Sequence, residues 1–216
     1  MSMEETPHVM AQWEKLTLAF VVIAIIFSFF FILRDDIRPV RNYPSDNQGI
    51  VAFGDSIIVG VGSESGIGLT GMLANRIGQN IINEGVSGNT TADGLERIDD
   101  VLRHEPKIVI LSLGGNDALQ NMPLERTEKN LDRIISQIQN EGSIVVLLGI
   151  RNGIFNDEFS SMYRELANRH QTALVTDILG GLFGDSRYMA DAVHPNDAGY
   201  SRIAERVAPV IIDLNQ

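Results

Sequence analysis

Serine, histidine and aspartate can together open an ester without a metal, and each occurs in this chain where a reacting group could stand. The tripeptide GDS appears twice, at 54–56 and at 184–186. Ser56 directly follows the apolar run IVAF, with Gly54 permitting a tight turn, so its hydroxyl is expected at the rim of a sheet. Ser186 follows GGLF inside a glycine-rich connection and reads as a surface-turn residue. A serine hydroxyl is a weak nucleophile and needs an imidazole, itself oriented by a carboxylate. Of the four histidines, His8 lies near the start of the chain, while His104 and His170 fall in the expected last turns of helices, where a cation suits the dipole. His194 is different: it stands three residues after Asp191 in DAVHPN, a spacing that can bring carboxylate and imidazole onto one turn.

Acyl transfer also requires donors aimed at the developing oxyanion. Gly88, in VSGNT, can offer its backbone N–H with no side chain in the way, and Asn116, in GGND, can offer an amide N–H. Asp117 is expected to start or brace a helix rather than to act as a second catalytic acid.

These residues need a scaffold, and the pattern supplies one. IVAF (50–53), NIINEG (80–85), KIVILSL (107–113), SIVVLLGI (143–150) and TALVTDI (172–178) are β-branched runs bounded by turn formers, each expected as a buried strand. Between them lie stretches of helical character: 69–78, 91–106, 124–142 and 157–170, with a last one at 196–214. Leu124, Leu131, Ile134, Ile135 and Ile138 recur at the spacing of one helix face. Strands alternating with helices imply parallel pairing, hence a five-stranded parallel sheet with helices on both sides. Ligands bind such sheets at the carboxyl ends of the strands. GDS, VSGNT, GGND and DAVHPN all follow strand candidates and converge on that edge.

In their order and placement, GDS at 54–56, the glycine of VSGNT at 88, GGND at 114–117 and DAVHP at 191–195 resemble the successive blocks of the SGNH, or GDSL-type, hydrolases. The resemblance spans about residues 49–212, and LSLGGND with RYMADAVHPNDAGY is similar to the bacterial thioesterase/lysophospholipase group of multifunctional esterases. It implies a flavodoxin-like three-layer α/β/α sandwich. It also implies Ser56 as nucleophile, His194 as general base and Asp191 as its orienting acid, with an oxyanion hole formed by the Ser56 N–H, the Gly88 N–H and the Asn116 side chain. The implied substrates are lysophospholipids, acyl thioesters or short-chain acyl esters; no cofactor is expected, and a complete serine–histidine–aspartate set in a chain without cysteine or clustered histidines needs no metal. Ile57 departs from the family's leucine, and GVGSESGIGLTG lacks an aromatic residue that many relatives carry before the first helix.

Other readings fare worse. Gly66, Gly68 and Gly71 match G-x-G-x-x-G with Glu84 beyond, but no strand closes on the first glycine as dinucleotide binding requires. A carbohydrate O-acetylesterase would use the same residues on a different acyl donor, and a membrane-tethered binding protein could keep the fold without turnover. A net charge of −11 argues against a nucleic-acid partner, and the absence of cysteine excludes disulfides and thiolate chemistry.

The remainder of the chain divides by composition. Residues 16–33, LTLAFVVIAIIFSFFFIL, carry no charge over a length that, at roughly 1.5 Å per residue, nearly crosses a hydrocarbon core. They read as an uncleaved N-terminal transmembrane helix behind a tail at 1–15, followed by a juxtamembrane linker at 34–48 and a hydrolase domain at 49–216. Lys15 precedes the run whereas Arg34, Arg38 and Arg41 follow it, so flanking charge leans towards a cytoplasmic domain, against the outward habit of similar anchored hydrolases.

Overall fold

The computed structural model describes residues 40–150 and 157–216, and the 16–33 run expected to span a membrane lies outside them. Among the described residues no helix is long and apolar enough to cross a membrane. Five parallel strands, β1 (Ile50–Gly54), β2 (Ile82–Gly85), β3 (Ile108–Ser112), β4 (Ile144–Leu148) and β5 (Ala173–Val175), lie in the order β2-β1-β3-β4-β5. This is the doubly wound order of flavodoxin-like folds. The three central strands are buried along their whole length, whereas β2 and β5 form the edges and are partly exposed. That is why IVAF, IVILS and IVVLL are almost wholly apolar: a strand covered on both faces has no polar face to show.

Alternate residues of β1, β3, β4 and β5 feed two separate cores. Ile50, Ala52, Ile108 and Ile110 point to one side, against helices α1 (Ser56–Val59), α2 (Gly68–Ile77) and α8 (Asp197–Leu214). Val51, Phe53, Val109 and Leu111 point to the other, against α4 (Ile98–Leu102), α6 (Leu124–Asn140) and α7 (Asp157–His170), so the described residues form the three-layer sandwich expected. In α6, Leu131, Ile134, Ile135 and Ile138 are fully buried, as their spacing requires, while Leu124 is only partly covered. Two short helices escape the periodicity: α1, and α5 (Gly115–Leu119) after β3.

Two sequence expectations need correction. The stretch 91–106 is two helices, α3 (Thr91–Glu96) and α4, separated by Arg97, whose backbone leaves helical geometry at φ −112°, ψ 19°. Residues 40–48, expected as linker, belong to the compact unit, which extends from Pro39 to Gln216. Asn42 Nδ2 donates to the carbonyls of Gln139 and Ser143, Ser45 Oγ to that of Gly142, and Asn47 Nδ2 to that of Glu141. All four acceptors lie just before β4, at the amino ends of the strands. The segment is thus a strap across the end of the sheet remote from GDS, held largely by side-chain bonds to backbone, with Val40 packed against the core.

Candidate active site

Gly54 ends β1 where the chain runs against β3. A β-carbon there would lie 2.2 Å from the Ser112 carbonyl oxygen and 2.7 Å from Ile58 Cγ1, so no other residue fits without moving backbone. The Asp55 N–H then donates to that carbonyl at 3.2 Å, and the chain turns into α1 with Asp55 as its cap, the Asp55 carboxylate accepting the Ile57 N–H at 3.0 Å. Ser56 is therefore the first helical residue after the strand, and its Oγ lies 3.1 Å from His194 Nε2.

His194 stands in a small antiparallel turn. Met189 bridges to Pro195, the Ala190 N–H donates to the His194 carbonyl, and the Asn196 N–H donates to the Tyr188 carbonyl. Within the turn Asp191 accepts the N–H groups of Val193 and His194, each at 2.8 Å, and His194 Nδ1 at 2.7 Å. The imidazole bond, with help from those two N–H groups, holds the Asp191 carboxyl down at about 2. A carboxylate that stays ionised requires the proton on Nδ1, which leaves Nε2 as the acceptor facing Ser56. A serine O–H, an imidazole and a carboxylate in this string can move a proton off the serine as it attacks a carbonyl.

The donors converge beside it. Gly88 occupies a turn at φ +82°, a conformation that suits glycine, with open space where a β-carbon would be. Asn116, in α5, donates one amide hydrogen to the Asn89 carbonyl at 2.9 Å, which fixes its rotamer and leaves the second hydrogen for a ligand. Asp117 is a brace, as expected: it is fully buried and accepts the Thr91 N–H at 2.8 Å and the hydroxyls of Thr91 and Thr127, tying α3, α5 and α6 together.

Ser56, Gly88, Asn116 and His194 open onto one cavity of about 250 Å³. Its other walls are largely apolar, with Leu119, Ile150, Leu179, Phe183 and Val193 outweighing the polar Asp55 and Ser87. Sequence reasoning missed these walls, because Leu179 and Phe183 sit in an irregular segment with no period. Ser186 stands apart from the cavity lining, in a turn whose backbone carbonyl accepts from Asn196 Nδ2 at 3.4 Å. The second GDS thus supports the base of the His194 turn. His104 pairs with Glu84 at 2.9 Å and His170 with Asp132 at 2.7 Å, both away from the site. Among the described residues no cluster of His, Cys, Asp or Glu could hold a metal ion.

An α/β/α sandwich carrying this serine, histidine and aspartate at the carboxyl edge of its sheet is that of a carboxylic ester hydrolase. The chain belongs to the GDSL-like Lipase/Acylhydrolase family, whose model matches residues 52–202. It is 33% identical over 179 residues to the Esterase TesA of Pseudomonas aeruginosa, covering 77% of this chain and 89% of that enzyme. With the thioesterase 1/protease 1/lysophospholipase L1 of Escherichia coli it shares 29% identity over 135 residues, 59% of this chain and 65% of that protein. A crystal structure of TesA superposes with a TM-score of 0.72 at 32% identity, covering 77% of this chain and 99% of that one.

Asp55 carries the largest electrostatic strain in the site. It is 3% exposed, and burial raises its carboxyl from 3.8 to about 6, against the opposing pull of the Ile57 N–H and of His194. Because the native state holds this proton more tightly than the unfolded chain, the contribution to stability is complete below about pH 4 and is lost as pH rises through about 6. A shift of that size corresponds to ~3 kcal/mol at neutral pH. Asp55→Asn keeps an oxygen to cap Ile57 but removes the charge. It is expected to raise stability at pH 7 and to flatten its fall between pH 4 and 6, measured by urea melts across that range. An unchanged pH slope would refute this account.

Proposed function

We propose that this esterase works through an acyl-serine intermediate, with Ser56 as nucleophile, His194 as general base and Asp191 as orienting carboxylate. The observation that carries the reading is the Ser56–His194–Asp191 string, at 3.1 and 2.7 Å, opening onto a largely apolar cavity. Ser56 Oγ attacks the ester carbonyl carbon while His194 Nε2 takes its proton, and Asp191 stabilises the resulting imidazolium. The Ser56 and Gly88 N–H groups and the free Asn116 amide hydrogen receive the oxyanion. As the tetrahedral species collapses, His194 returns the proton to the leaving alcohol or thiol; water, deprotonated by the same imidazole, then releases the acid and regenerates the serine.

The cavity bears on the substrate. Leu119, Ile150, Leu179, Phe183 and Val193 give it a wall that an acetyl group leaves uncovered and a longer acyl chain fills. This favours acyl thioesters, lysophospholipids and related esters over carbohydrate O-acetyl groups, in keeping with the thioesterase and lysophospholipase activities in the name of the Escherichia coli relative. Residues 16–33 are proposed to anchor the enzyme as a single membrane span, with the charge of Arg34, Arg38 and Arg41 placing the catalytic domain on the cytoplasmic side.

Three outcomes test these readings. A phosphonate probe is expected to label wild type and Ser186→Ala alike and to leave Ser56→Ala unlabelled; persistent labelling of Ser56→Ala would remove Ser56 from the mechanism. On p-nitrophenyl esters, kcat/KM is expected to rise about fourfold per added methylene until the cavity is full, since each buried methylene contributes roughly 0.8 kcal/mol; a maximum at acetate would favour the O-acetylesterase. In spheroplasts expressing a C-terminally tagged chain, the tag is expected to resist added protease until lysis, and prompt digestion would reverse the orientation.

A further inference from the structure

Arg97 interrupts the helical stretch after VSGNT, and its side chain explains why. The guanidinium turns back over the Phe53 ring, 4.5 Å from the centroid, and forks around the carboxyl ends of two strands. Nη2 donates to the Gly54 carbonyl at 2.8 Å, Nη1 to the Glu84 carbonyl at 3.0 Å, and Nε to Asn89 Oδ1 at 2.5 Å. All three acceptors are neutral oxygens, two at the carboxyl ends of β1 and β2 and one in the turn after β2, whereas the Glu84 carboxylate is occupied by His104. Surface arginines typically pair with carboxylates; this one spends its whole fork on the backbone and amide framework of a catalytic edge.

Two of those bonds, to Gly54 and to Asn89, lead to the proposed oxyanion donors, and the third, to Glu84, ties the guanidinium to the end of β2. Gly54 stands two residues before Ser56, and its carbonyl also accepts the Val86 N–H at 3.0 Å, the bond that opens the turn carrying Gly88. The turn closes with the Asn89 N–H on the Val86 carbonyl. Asn89, gripped by Arg97 through its side chain, in turn accepts Asn116 Nδ2 through its carbonyl. One planar cation therefore spans the supports of the Ser56 N–H, the Gly88 N–H and the Asn116 amide, which come from three separate strand ends.

We infer that Arg97 is the positioning residue of the oxyanion hole, setting the mutual spacing of its three donors without touching substrate. The inference rests on the assignment of Ser56, Gly88 and Asn116 as those donors. A lysine cannot replace the fork, because its single ammonium reaches one or two of the three oxygens rather than holding all of them in a plane. A misplacement of about 1 Å in such donors can cost on the order of 10² in rate while leaving ground-state binding alone.

The test uses the purified full-length chain with Arg97→Gln, Arg97→Lys, Asn116→Ala and the double variant Arg97→Gln/Asn116→Ala. Asn116→Ala measures the hole itself, with a loss of about 10²–10³ in kcat expected. Arg97→Gln is expected to lower kcat by about 10², Arg97→Lys by somewhat less, both with KM within threefold and with the acid limb of the pH profile unmoved. The double variant is expected to fall little below Asn116→Ala, since a residue acting through the hole has nothing further to lose once the hole is damaged. In a fifth variant, Arg97→Ala, low millimolar guanidinium ion is expected to recover part of the lost activity. If Asn116→Ala is itself harmless, the hole assignment fails and Arg97's role with it. If Asn116→Ala is impaired but Arg97→Gln stays within threefold of wild type, or if the two losses multiply, Arg97 is only a structural tie and the inference is overturned. Should Arg97→Gln fail to fold, Arg97→Lys decides by the same split between kcat and KM.

Discussion

The site hangs on the absence of a side chain at Gly54. With the Ser112 carbonyl 2.2 Å from where a β-carbon would stand, β1 and β3 approach each other more closely at their carboxyl ends than any other residue would allow. That approach lets the Asp55 N–H reach Ser112 and sends the chain into the short helix that begins with the serine. It also leaves the Gly54 carbonyl free to receive Val86 and Arg97 together, so the same position organises the nucleophile on one side and the turn at Gly88 on the other. A packing constraint in the sheet has become a constraint on chemistry.

What could be read from the residues in order, and what could not, follows from the kind of force involved. The central strands and the face of α6 were legible because burial writes a period into the sequence. Ser56, Asp191 and His194 were legible because each follows a strand candidate or holds a short, telling spacing. The strap at 40–48 was not: Asn42, Ser45 and Asn47 bind backbone carbonyls through polar side chains, and such bonds leave no apolar period. Leu179 and Phe183 were hidden for a related reason, lying in irregular chain that only the tertiary fold turns towards the serine. Arg97 carries no local signal, since nothing in the sequence distinguishes a guanidinium aimed at solvent from one aimed at a strand end.

The site also shows stability yielding to function. A neutral residue could cap α1 as well as Asp55 does, yet a carboxylate stands there, buried and resisting ionisation. Its charge interacts favourably with a protonated His194, the form that imidazole takes whenever it accepts the serine proton. Asp191, exposed and ionised well below neutrality, orients the ring at little cost, so two carboxylates of opposite environment bear on one histidine.

The strap has one more consequence. Its Tyr43 hydroxyl donates to the Asp213 carbonyl, and Lys107, just before β3, reaches the Asn215 carbonyl, so the two ends of the folded unit meet below the amino edge of the sheet. A unit whose ends lie together can be spliced into a surface loop of a host, or closed end to end and reopened elsewhere, without disturbing its interior. Here the splice would sit at the far pole from the cleft. The domain is in effect a cassette, and a host carrying it by both ends would present the catalytic mouth outward.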